Sequence, residues 1–444
     1  MSYRPRPPGP DAPLSLDEIR GDRLEFLARM KRGYGSAVRY FTEDWQAVFV
    51  SDAEAVQQVL CDDFRRFGKD GTPDLRLLKP MLGEGLLTSD GEAWRTQRHL
   101  LAPLFKRNSV EAWAPIVTRR TQAALDRWRD DPAPFEITGS LSQLTLAIAA
   151  EALFGHDIAG NGGRFSAAVD ILNEAMGGED AHAGADRSYR TAGALAVVQD
   201  VVEQAIRDRR ADAEAAAGAR DALALMMAAR DEAGAPLSDR QLVEQGVTLL
   251  LAGHETTAKA LAWALYLLSR HPAARRRLRQ EARALPGAPC LADLPALPFT
   301  LAVLEEAMRL YPPIWVVSRI AREPVALRHH HVPEGTLVPI SPFLMHRDAD
   351  AWDDAEAFRP ERFLGASDRH PCQYIPFGAG PRQCIGKPFA LMEMHLVLGA
   401  IARVCQFEPL SDEEAEPEAL VTLRPKGGIW MRPVFHDMPL GVTP

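Results

Sequence analysis

The segment FGAGPRQCIG, Phe377 to Gly386, sets three glycines and a proline around a single cysteine and then runs into an apolar, helix-forming stretch. Gly378 and Gly380 open backbone conformations closed to other residues. A helix beginning near Ile385 would aim unpaired N–H groups and its positive end at the Cys384 sulfur, which favours thiolate over thiol. Phe377 can screen that sulfur from water, and Gly386 leaves room for a flat ligand against the helix. With no second cysteine or histidine at ligand spacing, the pattern suits a single thiolate ligand to a metal held by something other than protein. Haem meets that description. The competing reading, a buried structural cysteine, fits a cysteine without such a setting.

Three more stretches carry possible chemistry. In AGHETT, Ala252 to Thr257, a mid-helix glycine costs about 1 kcal/mol relative to alanine. Gly253 would let a ligand approach the backbone, and the Thr256 hydroxyl can compete for a helical carbonyl and open the ladder to oxygen and water. Glu306 and Arg309, in VLEEAMRLYPP, share one helical face, an arrangement worth little on a surface. In WRTQRH one helical turn separates Trp94 from Arg98, so an indole N–H and a guanidinium can reach one anionic group. His329, His330 and His331 look like metal ligands. Adjacent strand residues face opposite ways, however, and Pro333-Glu334-Gly335 follows, so a polar loop is expected.

These residues need a scaffold, and helical periodicity dominates from about Ala53 to Tyr311. The most informative helix is capped by Ser238 and Gln241 and should run to about Ser269, roughly 46 Å. Its apolar middle is long enough to suggest a membrane span, but His254, Glu255 and Lys259 near its centre predict a helix buried in a soluble core. Strand signals flank the helices in VRYFTEDWQAVFVSD, ALRHHHVPEGTLVPIS and VTLRPKGGIWMRP, where Pro-Glu-Gly and Lys-Gly-Gly mark turns. The 444 residues carry 51 basic and 60 acidic side chains, net −9, which disfavours nucleic acid as a partner. Cys61, Cys290, Cys372, Cys384 and Cys405 are scattered, as in a reducing cytoplasm, and include no zinc or disulfide pattern. MSYRPRPPGPDAP contains no apolar run, so neither a signal peptide nor a membrane anchor is expected there.

F-G-x-G-x-R-x-C-x-G, matched at every fixed position, resembles the haem-binding signature of the cytochrome P450 superfamily. AGHETT, Glu306-x-x-Arg309 with FRPERF, and WRTQRH occur in that family's order, so the resemblance extends from Trp94 to the C-terminal strands. It implies one haem domain over residues 1–444, with 1–14 as a Pro/Arg-rich tail. The fold would be mainly α with small peripheral β-sheets, and haem b (iron protoporphyrin IX) would lie between the long central helix and the cysteine-loop helix. By family position Cys384 ligates iron, while Trp94, Arg98, Arg319 and Arg382 hold the propionates. Ala252, Gly253, Phe377, Gly378, Ile385 and Gly386 would complete the cofactor site. Glu255 and Thr256 would help deliver protons to dioxygen, and Arg362 would join Glu306 and Arg309 in a structural ion cluster. Leu87, Ala252, Thr256, Ile314, Val316 and Ile429 are expected to face the substrate.

The activity so implied is a monooxygenase that hydroxylates a lipophilic molecule of fatty acid, terpenoid, carotenoid or steroid type. Two electrons must arrive from outside, since no flavin domain or iron-sulfur cysteine pattern is present. A separate ferredoxin or flavodoxin with its reductase is therefore expected, with Lys106, Arg107 and Lys387 as docking contacts on a cytoplasmic monomer. A peroxide-driven peroxygenase or isomerase would need no carrier. A non-catalytic haem carrier or gas sensor would have no obvious use for Glu255 and Thr256.

Overall fold

A computed structural model of the chain describes residues 5–155, 164–177, 185–211, 221–232, 234–366 and 368–436. At its centre, Ser238 and Gln241 exchange the reciprocal capping bonds expected from the sequence. The central helix runs Asp239–Arg270, 32 residues, and stops where Pro272 opens the next helix. Most of it is buried between Leu242 and Leu268, His254 and Lys259 included. The helix Ile137–Phe154 packs along it, with the Thr145 hydroxyl donating to the His254 carbonyl at 2.9 Å. Among the described residues that partner, rather than the central helix, is the one long and apolar enough to cross a membrane, and most of it is buried inside the protein. The cysteine-loop helix, Lys387–Val404, packs between Arg107–Asp130, Pro272–Arg283 and the central helix.

The sheets are peripheral. Five strands lie in the order Ala37–Phe41, Gln46–Val50, Leu337–Ile340, Val317–Ala321, Phe67–Gly68. Gln46–Val50 pairs parallel with Leu337–Ile340, and the other pairings are antiparallel. The Pro/Arg-rich tail lies along this sheet: the Arg39 N–H donates to Pro8 O at 2.8 Å and the Leu14 N–H to Phe41 O at 2.8 Å. The three histidines are not a continuous loop. His329 follows Arg328, at φ +53°, in a tight turn, and His330 and His331 enter the strand His330–Val332.

VTLRPKGGIWMRP departs further from expectation, because its two strands belong to different sheets. Leu423–Pro425 pairs with Pro417–Ala419, whereas Trp430–Phe435 pairs with Cys405–Pro409 and Phe135–Glu136. Gly427 and Gly428, at φ +74° and +77°, swing the chain from one sheet to the other instead of closing a hairpin.

The expected ion cluster forms in full. Arg309 clamps Glu306 through two bonds of 2.7 and 2.8 Å, and Arg362 Nε reaches the same carboxylate at 3.1 Å. Arg309 also donates to the carbonyls of His346, Ala355 and Ala357, tying the helix Pro298–Leu310 to the segment leading to the cysteine loop. Next to it, the Ile375 N–H donates to His346 Nε2 at 2.9 Å, so this imidazole must be neutral. Burial, then Arg309 and Arg347, push its pKa down from 6.5 to about 3.

Two predictions follow from this cluster. Arg309→Met removes the two-bond partner of a buried carboxylate, leaving it to Arg362 and the Arg359 N–H, and should cost about 3–5 kcal/mol in chemical unfolding. Because the unfolded chain binds a proton at His346 more readily than the folded one, stability should be full above about pH 6.5 and fall toward pH 3. The slope from this group is at most about 1.4 kcal/mol per pH unit. Unfolding at pH 7 and pH 5 checks this, with His346→Gln expected to flatten the difference.

Candidate active site

The cysteine loop is closed by backbone bonds: the Gly378 N–H donates to Ile375 O at 2.9 Å, Gln383 to Gly380 O at 3.0 Å and Cys384 to Phe377 O at 2.9 Å. Gly380 is the position that no other residue could fill. Its φ is +70°, and a Cβ there would lie 1.9 Å from the Leu60 carbonyl oxygen. Gly386 differs. A Cβ at that position would meet Phe105 at 3.7 Å and the Cys384 sulfur at 3.9 Å, ordinary contacts, so packing within the chain does not demand this glycine.

The helix begins at Lys387 with Gly386 as its cap, two residues later than expected. The N–H groups of Gly386 and Lys387 lie near the Cys384 sulfur and act to lower its pKa. Thiolate stabilisation by the helix end is thus present, but it is outweighed. Burial pushes the Cys384 pKa up, against those N–H groups and the charges of Arg98 and Lys387, so the expected preference for thiolate is not met by the protein alone. A cation bound to sulfur supplies the missing term. The side chain is nonetheless exposed.

The central helix shows a matching feature. Between Leu242 and Leu268, Ala252 alone is exposed, and Leu249, Gly253 and Thr256 are half-buried on the same helical face. A Cβ at Gly253 would meet no protein atom within 4 Å. The Thr256 hydroxyl donates to the Ala252 carbonyl at 3.0 Å, and Thr257 to that of Gly253 at 2.9 Å. The helix stays unbroken, contrary to the expected opening, because a carbonyl has lone pairs for both a hydroxyl and an N–H.

A third group of residues is electrostatic. Arg382 stacks over Trp94 at 4.1 Å and binds the Asp90 carboxylate, and Arg98 Nη1 donates to Gln383 O at 2.8 Å. Arg322 reaches Asp90 at 2.9 Å, and Lys69 reaches Asp74 at 3.2 Å. Burial would raise the Asp90 pKa. The N–H groups of Lys69, Gly91 and Asp70, with Arg382, overcome this and hold it at about 2. Buried Arg319 is pushed down to about 10, first by desolvation and then by Arg382. Four cations, Lys69, Arg319, Arg322 and Arg382, therefore share two carboxylates, an excess suited to a ligand bearing two acidic groups. Lys69 was not among the expected residues; its signal was a lone lysine in FGKDG, indistinguishable in sequence from a surface charge.

An exposed thiol at the start of a helix, open space at Gly253 and surplus cations fit iron protoporphyrin IX. A family model described as Cytochrome P450 matches residues 14–431. The chain belongs to the cytochrome P450 family. This P450 is 33% identical to cyclooctatin synthase of Streptomyces melanosporofaciens, covering 90% of the chain and 89% of the relative. It is 32% identical to cyclooctat-9-en-7-ol 5-monooxygenase of the same organism, covering 87% and 85%. It is 30% identical to leukotriene-B4 omega-hydroxylase 3 of Mus musculus, covering 80% and 74%. The P450 is thus an oxidoreductase of the monooxygenase type that binds haem through a cysteine thiolate.

The substrate-facing expectations divide. Leu87 is exposed, and Ile314 is half-buried and alternates with the buried Pro313 and Trp315. Val316 leans instead on the sheet core around Trp315 and Phe49. Ile429 is misplaced: it is buried at the start of Ile137–Phe154, where its N–H donates to Glu136 at 3.0 Å and its carbonyl accepts from Ile137 at 2.9 Å. The turn that meets the central helix is Leu420–Thr422. Trp315 Nε1 donates to Leu420 O at 2.7 Å, the Leu423 N–H donates to Pro313 O at 2.8 Å, and Thr422 bonds Lys259. This turn contains no glycine or proline, so turn chemistry could not reveal it.

Gly380→Ala should lower the melting temperature, because it combines backbone strain of about 1–3 kcal/mol with the Leu60 clash. Gly386→Ala should leave the melting temperature of haem-depleted protein unchanged while lowering the haem bound per chain, read by absorption at equal protein concentration.

Proposed function

We propose that this P450 hydroxylates a lipophilic substrate of fatty acid, terpenoid, carotenoid or steroid type, using dioxygen and two electrons from a separate ferredoxin or flavodoxin with its reductase. The observation that carries the reading is the break in burial midway along the central helix, where exposed Ala252 and half-buried Gly253 stand beside half-buried Glu255 and Thr256. An alcohol and an acid at that point are the groups a dioxygen-dependent reaction needs for protons, and a peroxide-driven one does not. The relatives named as a leukotriene omega-hydroxylase and a cyclooctat-9-en-7-ol 5-monooxygenase support oxygenation of a carbon skeleton.

Bound haem would supply the reduction of dioxygen and the transfer of one oxygen atom to substrate. Cys384 would ligate its iron, held by the N–H groups of Gly386 and Lys387. Trp94, Arg98, Arg319 and Arg382, with Lys69, would anchor its carboxylates. Thr256 holds a hydroxyl proton against the Ala252 carbonyl on the exposed face, and Glu255 adds a carboxylate one residue away. Leu87, Ala252, Ile314 and Val421 would give the pocket apolar walls that exclude water. The electron carrier would dock over the cysteine loop, near exposed Lys106 and Arg107. Phe105 links these residues to Gly386, and Lys387 lies 5.8 Å from the Phe377 ring.

The expected outcomes are specific. The reduced, carbon monoxide-bound protein should show the thiolate-haem spectrum, and Cys384→Ser should lose it. Thr256→Ala should divert electrons from product to peroxide, whereas undiminished turnover with peroxide alone would favour a peroxygenase. Lys106→Glu with Arg107→Glu should slow reduction by an acidic carrier and flatten its salt dependence, measured by stopped flow.

A further inference from the structure

The central helix carries one buried charge that neither the haem site nor its packing explains. Lys259 is 6% exposed and sits among Ala258, Ala260 and Leu261. Its ammonium donates to the Glu255 carboxylate one turn earlier and to the Thr422 hydroxyl across the interface with the 417–425 hairpin. Thr422 Oγ1 lies 3.4 Å from the same Glu255 oxygen, closing a three-membered cluster. An exposed lysine–glutamate pair one turn apart is commonplace, but here the two side chains are only 8% and 14% exposed. At such burial the cost of desolvation rivals the attraction, so an apolar residue would hold the helix as well or better.

The hairpin connects this cluster to two places. Its turn is pinned beside the Pro313–Val316 segment through Trp315 and Leu423. Its strands reach the surface at Glu418 and Arg424, paired at 2.7 Å and 33% and 44% exposed, which are also the remote charges felt by Lys259. The titratable and charged groups facing Lys259 are thus Glu255 on its own helix, with Glu418 and Arg424 on the hairpin. His254 bonds Leu250 O at 2.8 Å and Asn173 at 3.2 Å rather than this cluster, but it is close enough to feel the charges of both Glu255 and Lys259.

Building on the reading of Glu255 as the proton-supplying acid, we propose that Lys259 is its positioning residue and, with Thr422, the point at which protons from the hairpin surface are handed to it. The transfer balances without a co-reactant. The ammonium loses a proton to the carboxylate, leaving an amine and a carboxylic acid. The acid passes that proton on toward Thr256 and becomes a carboxylate again, and the amine takes a replacement from solvent at the Glu418 end.

The test uses haem-loaded wild type, Lys259→Met, Lys259→Arg, Thr422→Val and Glu255→Gln. Removing the ammonium leaves a buried carboxylate without its partner. Lys259→Met should therefore show a protonated-carboxyl stretch in infrared difference spectra at neutral pH that disappears in Lys259→Met/Glu255→Gln. Because misplacing a catalytic group costs up to about a hundredfold, product formation should fall roughly ten- to a hundredfold, with peroxide and the solvent isotope effect rising. Lys259→Arg should restore most of the coupling, and Thr422→Val should lower it in the same direction. If Lys259→Met does not fold, Thr422→Val decides through its peroxide yield and isotope effect. Wild-type coupling in both variants, with no new carboxyl signal, would overturn the proposal. Should Glu255→Gln and Thr256→Ala also prove inert, the fault would lie with the monooxygenase reading; if those two lose coupling while the Lys259 and Thr422 variants keep it, only this proposal fails.

Discussion

The N–H groups of Gly386 and Lys387 converge on the Cys384 sulfur because the loop before them is folded tightly enough to bring Gly380 against the Leu60 carbonyl. That close approach fixes where the sulfur sits relative to the helix Lys387–Val404, and the rest of the site is built around it. Two nearby N–H groups and two cations favour the thiolate but do not outweigh the protein packed around the sulfur, which stays open to solvent on its remaining side. The loop is therefore preorganised for an anion whose charge a bound cation must stabilise, a division of labour suited to a metal ligand rather than a free nucleophile.

Buried charge recurs elsewhere in the fold, and each instance is resolved differently. Around Asp90 an excess of arginine and lysine is held apart by two carboxylates. Around Glu306 two arginines share one carboxylate, and the spare donors of Arg309 are taken up by three backbone carbonyls. The first arrangement is open to an acidic ligand and the second is closed, which separates a binding role from a structural one without reference to position in the chain.

Much of this was legible in the sequence. The capping box of the central helix and the glycine pattern of the cysteine loop are local signals, written within a few residues and enforced by backbone geometry. The losses were nonlocal. Lys69 looks like an ordinary surface lysine until the fold buries it, and the reach from Lys259 to Thr422 spans more than a hundred residues of chain. Ile429 was misjudged because Lys-Gly-Gly reads as a hairpin turn, whereas the two glycines bend the chain between sheets. The direction of the Cys384 shift was missed for a similar reason: the helix end is visible in sequence, but the desolvation that outweighs it is a property of the packed interior.

The N-terminal strip bears on how the molecule meets its neighbours. Strand Ala37–Phe41 would otherwise present an open ladder at the margin of the five-stranded sheet. Residues 8–14 occupy that ladder, and prolines at positions 8, 10 and 13 have no N–H to extend it outward. A foreign strand approaching this margin finds few donors to pair with, so the strip acts as a selvedge that keeps one sheet from being stitched to the next.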